Sequence, residues 1–293
     1  MTVAARRDPQ VAAELPVARC VVDVPLPHLD RLFDYLVPAS LDSQVVVGGR
    51  IRVRFSGKLH DAFVVERTAE SDHPGRLAFV ERVIDSEPVL TPEILELARI
   101  VARRWAGTLA DVLRLAVPPR AARPGSAPPN PVPLPLAAAA DVPGPSSWER
   151  YSSGPALLEA VREGRGPRAI WTALPGQHDG TPLWAWETAE AVRAAAEGAR
   201  GALVVVPETA DLCWLEAACQ ARLGPGTFVA LSAELAPAER YRRFLAALRG
   251  EVRVVVGTRA AVFAPIRDLG LIIVWDDGND LLAERRAPYP HAR

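Results

Sequence analysis

Over the first part of the chain, apolar and polar side chains alternate at a period of two. In Val17–Val24 the residues Ala18, Cys20, Val22 and Val24 fall on one face. In Arg50–Phe55, Ile51, Val53 and Phe55 do the same while Arg50, Arg52 and Arg54 face the other way. Apolar runs at Ala62–Val65 and Phe79–Ile84 extend this pattern to a small β-rich unit. The period then changes. Thr91-Pro92-Glu93 offers an N-cap, a proline for the first helical position and an acid for the first turn, and Ile94, Leu97, Ala98, Val101 and Trp105 follow at helical spacing. Gly107 closes that helix, and Leu109–Leu115 starts another before Pro118-Pro119.

From Arg120 to Ser147 the chain is dense in Pro, Ala, Gly and Ser and has neither period, which predicts an extended linker. Beyond it, apolar runs at Ala169–Leu174, Ala202–Val206, Thr227–Leu231, Val252–Val256 and Leu271–Trp275 alternate with helical stretches such as Thr209–Ala221 and Pro237–Leu248. Near-continuous apolar strands alternating with helices indicate βα units on a parallel sheet with both faces covered. The expected organisation is a flexible tail over 1–16, a β-rich domain with helices over 17–119, a linker over 120–147 and a parallel α/β lobe over 148–293. The overall class is α/β.

At 293 residues, 49% of them hydrophobic, the chain is long enough for two cores. No run of eighteen apolar residues occurs and Met1–Gln10 lacks a signal-peptide pattern, so the expectation is a soluble, cytoplasmic protein without membrane contact. Cys20, Cys213 and Cys219 are odd in number and scattered, which argues for buried thiols rather than a disulfide framework or a zinc site. The five histidines show no metal-ligand spacing, and neither GxSxG nor HExxH is present. The formal net charge of −1 excludes binding of nucleic acid by bulk charge, so any such contact is local. Lys58 is the sole lysine, and arginine supplies every other basic side chain.

The segment VARCVVDVPLPHLDRLFDYLVP, then VVVGGRIRVRFSG, then DSEPVLTPEILELARIVARRWAGTLADVLRLAVPPR resembles the N-terminal 3′-DNA-end-binding domain of the primosomal replication-restart family PriA. After the linker, VVVPE, VVVGTRAAVFAPIRDLGLIIV and the closing YPHAR are similar to the first RecA-like lobe of that family. The resemblance implies a pocket for the free 3′ end of a nascent strand, lined by Phe33, Asp34 and Tyr35. Rings can stack on a terminal base, and a carboxylate can accept a hydrogen bond from a 3′-hydroxyl. Gly48 matches the family glycine that lets the backbone approach the nucleotide, and the family's pocket lysine falls at Ala78, leaving Arg76 or Lys58 to supply the charge. Pattern alone also allows Phe33 and Tyr35 to be core aromatics with Asp34 at the surface. Arg50, Arg52 and Arg54 form either a phosphate-contacting stripe or a solvated strand face.

The nucleotide chemistry of the family is not legible here. A P-loop needs GxxxxGK[ST], and no such sequence exists; the expected place reads Gly176-Gln177-His178-Asp179-Gly180, with an acid near the lysine position. Where the family has an Asp-Glu-Glu-His box this chain has Trp275, Asp276 and Asp277, so Trp275 takes the metal-holding position unless a one-residue slip places Asp276 there. The expectation is therefore a DNA-binding replication-restart protein that holds 3′ ends at stalled forks without ATPase activity and without ATP, magnesium or zinc of its own. The family's zinc-binding cysteines and second helicase lobe are expected beyond Arg293. Implied partners are branched or forked DNA with a 3′ end, other primosome proteins and single-stranded DNA-binding protein. Two alternatives stay open: an active ATP-dependent 3′–5′ helicase, and a protein-interaction scaffold, built around Glu208-Thr209, that no longer binds DNA.

Overall fold

A computed structural model describes residues 9–120 and 148–293; all of the proposed linker but Arg120, and the first eight residues of the proposed tail, lie outside them. The chain divides into two compact units at Arg120, each taken by itself.

In the first unit, strands β1 (Val17–Val22), β2 (Phe33–Leu36), β3 (Arg50–Phe55), β4 (Lys58–Thr68) and β5 (Val80–Asp85) form one antiparallel sheet in the order β2-β1-β4-β3-β5. Its two edges meet. The Leu36 N–H donates to the Ala78 carbonyl at 2.8 Å and Leu36 bridges Phe79, one residue before β5, so the sheet closes into a small barrel. This one bridge joins the edges and gives the alternating pattern a single inside. Ala18, Cys20, Val22, Tyr35, Ile51, Val53, Ala62, Val64 and Val80 fill it. Gln10–Ala12, read as part of a flexible tail, instead lies along the barrel: the Ala12 N–H donates to Val37 and Gln10 accepts from Ala39.

Helices α1 (Pro92–Arg104) and α2 (Leu109–Ala116) complete this unit, packing on one another and, through α2, on β1. Their starts follow the residues expected to set them. The Thr91 hydroxyl accepts from the Ile94 N–H at 3.3 Å and the Thr108 hydroxyl from the Asp111 N–H at 3.1 Å, each satisfying a donor that helix geometry leaves open.

The second unit contains α3 (Gly154–Glu163), a two-stranded ribbon of β6 (Gln177–His178) and β7 (Thr181–Pro182), then α4 (Leu183–Glu197), β8 (Gly201–Val205), α5 (Thr209–Leu223), β9 (Phe228–Leu231), α6 (Pro237–Arg249), β10 (Val254–Gly257) and β11 (Leu269–Val274). The four long strands are all parallel in the order β11-β8-β10-β9. Ala202 and Val204 of β8 face one core with α4 and α5, while Leu203 and Val205 face a second core with α6. Burial on both faces explains the unbroken apolar runs.

One expected strand is absent. Ala169–Leu174 is irregular: Trp171 and Ala173 turn toward the core, but Ile170 is fully exposed and the segment pairs with no strand. Its apolar pattern reports inward-facing side chains, not a ladder. Among the described residues no helix is long and apolar enough to cross a membrane, and no group of three or more His, Cys, Asp or Glu side chains is placed to hold a metal ion.

Cys20 and Cys219 are buried, and burial lifts both thiols well above their usual range, whereas Cys213 is exposed. Iodoacetamide at neutral pH is therefore expected to modify Cys213 alone in the native protein and all three cysteines after denaturation, as counted by intact mass.

Candidate functional site

Successive strand residues point to opposite faces, and barrel closure fixes which face is inside. Along β2 this splits the Phe-Asp-Tyr motif. Tyr35 is buried within the barrel, and loss of water there pushes its phenol up to about 12. It is a core residue rather than a pocket wall. Asp34 lies on the outer wall with its side chain only 11% exposed. Arg19 Nε donates to one of its oxygens at 3.2 Å and the Ser71 hydroxyl to the other at 2.6 Å. Arg19 also meets Glu66 at 3.1 Å and Asp72 at 3.7 Å, so three carboxylates surround one guanidinium.

Phe33 sits half-buried where β2 begins, at one mouth of the barrel. Phe55, at the end of β3, meets it edge-on with ring centroids 4.8 Å apart, and His60 meets Phe55 at 6.3 Å. The exposed Arg31 places its guanidinium 5.0 Å from the Phe33 ring centre. Beside Phe55 the chain reverses through Ser56-Gly57 into Lys58, both turn residues having positive φ. Directly opposed strand residues share a face, so Lys58, exposed, stands on the same side as Phe55. The mouth thus gathers two rings, two cations and a glycine, Gly57, above which a Cβ would meet nothing within 4 Å.

Gly48 does not belong to that mouth. Its φ of +81° does require glycine, but a Cβ there would lie 2.4 Å from the Leu90 carbonyl oxygen. Its N–H donates to Val64 and its carbonyl accepts from Leu90, so both polar groups serve the fold. The arginine stripe is also reassigned. Arg50 is 5% exposed, donating to the Pro118 carbonyl at 2.9 Å, near Asp85 and over the Phe63 ring. Arg52 donates to Asp61 at 2.7 Å, and Arg54 to Glu81 at 3.0 Å and to the Gly57 carbonyl at 3.0 Å. Each of the three is tied to an acid of its own barrel, within a segment, 17–118, that holds thirteen basic against fourteen acidic residues. Arg76 is exposed on the loop leading to the closing bridge.

Arg31, Phe55 and Gly57 were not singled out from sequence. Two signals for them exist: Arg31 stands two residues before Phe33, and Phe55 immediately precedes a two-residue hairpin turn.

In the second unit the segment expected to carry a P-loop is a tight hairpin. Asp179 and Gly180, both with positive φ, form its turn between β6 and β7. The N–H of Leu183, first residue of α4, donates to the Gly176 carbonyl at 3.0 Å, so a donor that would point at a phosphate is taken by the chain itself. Trp275 follows β11 directly, its N–H bonded to Val205. Its ring stacks flat on Trp184 at 4.3 Å and 9°, and meets Trp171 at 5.9 Å, which in turn meets Trp148 at 5.2 Å. Beneath them Glu187 is fully buried, accepting from the Tyr151 hydroxyl at 3.0 Å. Asp276 turns outward in a left-handed conformation beside Asn279, and Asp277 meets Arg293 at 3.6 Å. Asp211 is held above the usual carboxylate range by burial and then by the charges of Glu208 and Asp276. Stacked rings and the Asp179-Gly180 hairpin occupy the place where a triphosphate would need backbone donors and a cation, so the residues present do not fit that group.

Residues 19–118 match the family model of the 3′DNA-binding domain (3′BD), and the match spans the barrel from the third residue of β1 onward and both of its helices. Probable replication restart protein PriA of Mycobacterium tuberculosis (strain CDC 1551 / Oshkosh) is 50% identical over 92% of this chain and 40% of its own length. The chain is homologous to the PriA replication-restart proteins. PriA of Mycobacterium leprae (strain TN) is 48% identical over 92% of the chain, and that of Treponema pallidum (strain Nichols) is 26% identical over 95%. The chain spans about 40% of the length of these PriA relatives.

Two substitutions check this geometry. Gly48→Ala is expected to lower the unfolding free energy by roughly 2–3 kcal/mol, from positive-φ strain plus displacement of Leu90, measured by urea denaturation. Trp184→Ala is expected to cost roughly 3–5 kcal/mol and to remove the near-ultraviolet circular dichroism of the Trp184–Trp275 stack.

Proposed function

We propose that this chain receives the 3′ end of a DNA strand at the barrel mouth formed by Phe33 and Phe55, as part of replication restart at forked DNA, and that it does so without hydrolysing ATP. The observation that carries the first half is the mouth itself, lying within the segment that matches the 3′DNA-binding domain. Half-buried rings flanked by cations suit a base and its phosphate. The strand bearing Phe33 carries Asp34 next, so an end laid over the rim meets a ring first and then the acids Asp34, Glu66 and Asp72. A terminal hydroxyl that displaces Ser71 restores its hydrogen bond to Asp34, whereas a terminal phosphate is repelled there.

The second half rests on the tryptophan stack and the Asp179-Gly180 hairpin, which leave no cradle for phosphates, and on the absence of any lysine in the lobe. The lobe then acts as a scaffold, and ATP, magnesium and zinc play no part in the activity of this chain. Single-stranded DNA-binding protein and other primosome proteins remain the expected partners at the fork.

Fluorescence anisotropy of the 293-residue chain on a fork with a 3′-hydroxyl, compared with the same fork ending in 3′-phosphate, is expected to show at least several-fold tighter binding of the hydroxyl. ATP hydrolysis on that fork is expected to stay at background. Equal affinity for the two ends would remove end recognition, and fork-stimulated hydrolysis would remove the scaffold reading.

A further inference from the structure

Resting on that reading of the barrel mouth, we propose that Arg31 is the side chain that binds the phosphate on the 5′ side of the terminal nucleotide. Lys58 and Arg76, the basic residues that the sequence offered besides the arginine stripe, do not stand where Arg31 does. Lys58 lies across the mouth on the hairpin beside Phe55, and Arg76 lies on the loop before the closing bridge. Arg31 lies over the Phe33 ring, its guanidinium 5.0 Å from the ring centre.

Three features suit it to this task. It is exposed and makes no ion pair among the described residues, unlike Arg50, Arg52 and Arg54, which are paired to Asp85, Asp61 and Glu81. The ring beneath holds the guanidinium in one orientation and leaves its donor edge free, so less conformational freedom is lost when a phosphate binds. The short turn in which the Arg31 N–H donates to the Leu29 carbonyl at 2.8 Å fixes its backbone just before β2. A nucleotide stacked at this ring therefore brings its phosphate within reach of the Arg31 guanidinium.

The test is anisotropy of the full 293-residue chain on the hydroxyl-ended and phosphate-ended forks over a salt series. Arg31→Ala is expected to weaken both forks by about tenfold and to reduce the slope of log affinity against log salt by about 0.7–0.9, the value for one lost phosphate contact. Arg31→Lys is expected to keep the slope and lose part of the affinity, because the charge remains without the stacked fork of donors. Arg99→Ala, on an exposed face of α1, is the control and is expected to match the wild type. An Arg31→Ala protein within twofold of wild type at unchanged slope overturns the assignment, as does a larger loss from Lys58→Ala or Arg76→Ala. These outcomes are separate from the hydroxyl preference of the wild type, which reports on end recognition itself; failure of the wild type to bind either fork removes both.

Discussion

A single backbone contact organises the N-terminal unit. When the Leu36 N–H donates to Ala78, the two edges of the sheet join, and every strand acquires an inside and an outside. From that point the position of each side chain in β2 is forced. Tyr35 enters the core, Phe33 reaches the mouth and Asp34 faces outward to Arg19 and Ser71. A motif that reads as three neighbouring pocket residues is therefore divided between the core, the mouth and the outer wall, because consecutive residues of a strand cannot share a face.

The electrostatics follow the same logic. Most arginines of the barrel are bound to carboxylates of the barrel, so their charge is neutralised locally and their donors are engaged. What matters for a polyanion is the small set of cations that have no acid beside them among the described residues. At the mouth these are Arg31 and Lys58, set beside rings rather than acids. A net charge near zero is thus compatible with a directed local site, since field at a rim depends on a few unpaired groups and not on the total.

In the second unit the packing of the parallel α/β architecture is independent of any bound nucleotide. The sheet is held by Val, Ala and Leu on both faces, and none of that packing requires a bound phosphate. The loops at the strand ends are free to change, and here they fill with Trp148, Trp171, Trp184 and Trp275. Stacked rings bury apolar area where a nucleotide site would need open, donor-lined space. At the opposite edge of the sheet, Arg243 donates to the Ala230 carbonyl of β9 at 2.9 Å and blunts that strand against pairing with another chain.

The sequence by itself determined most element types, the parallel and antiparallel classes and the lack of a GxxxxGK[ST] motif. These depend on local periodicity, capping residues such as Thr91 and Thr108, and residue identity, all of which act over a few positions. The tertiary structure decided what neighbours what. It buried Arg50 while leaving Arg31 exposed, turned Gly48 toward Leu90 rather than toward a ligand, and left Ala169–Leu174 without a partner strand despite its apolar pattern. It also brought Phe55 onto Phe33 across the barrel and Trp184 onto Trp275 from opposite ends of the lobe. Period reports which residues share a face. Whether that face meets solvent, a partner strand or another ring depends on closures between residues distant in sequence, and no local pattern encodes these.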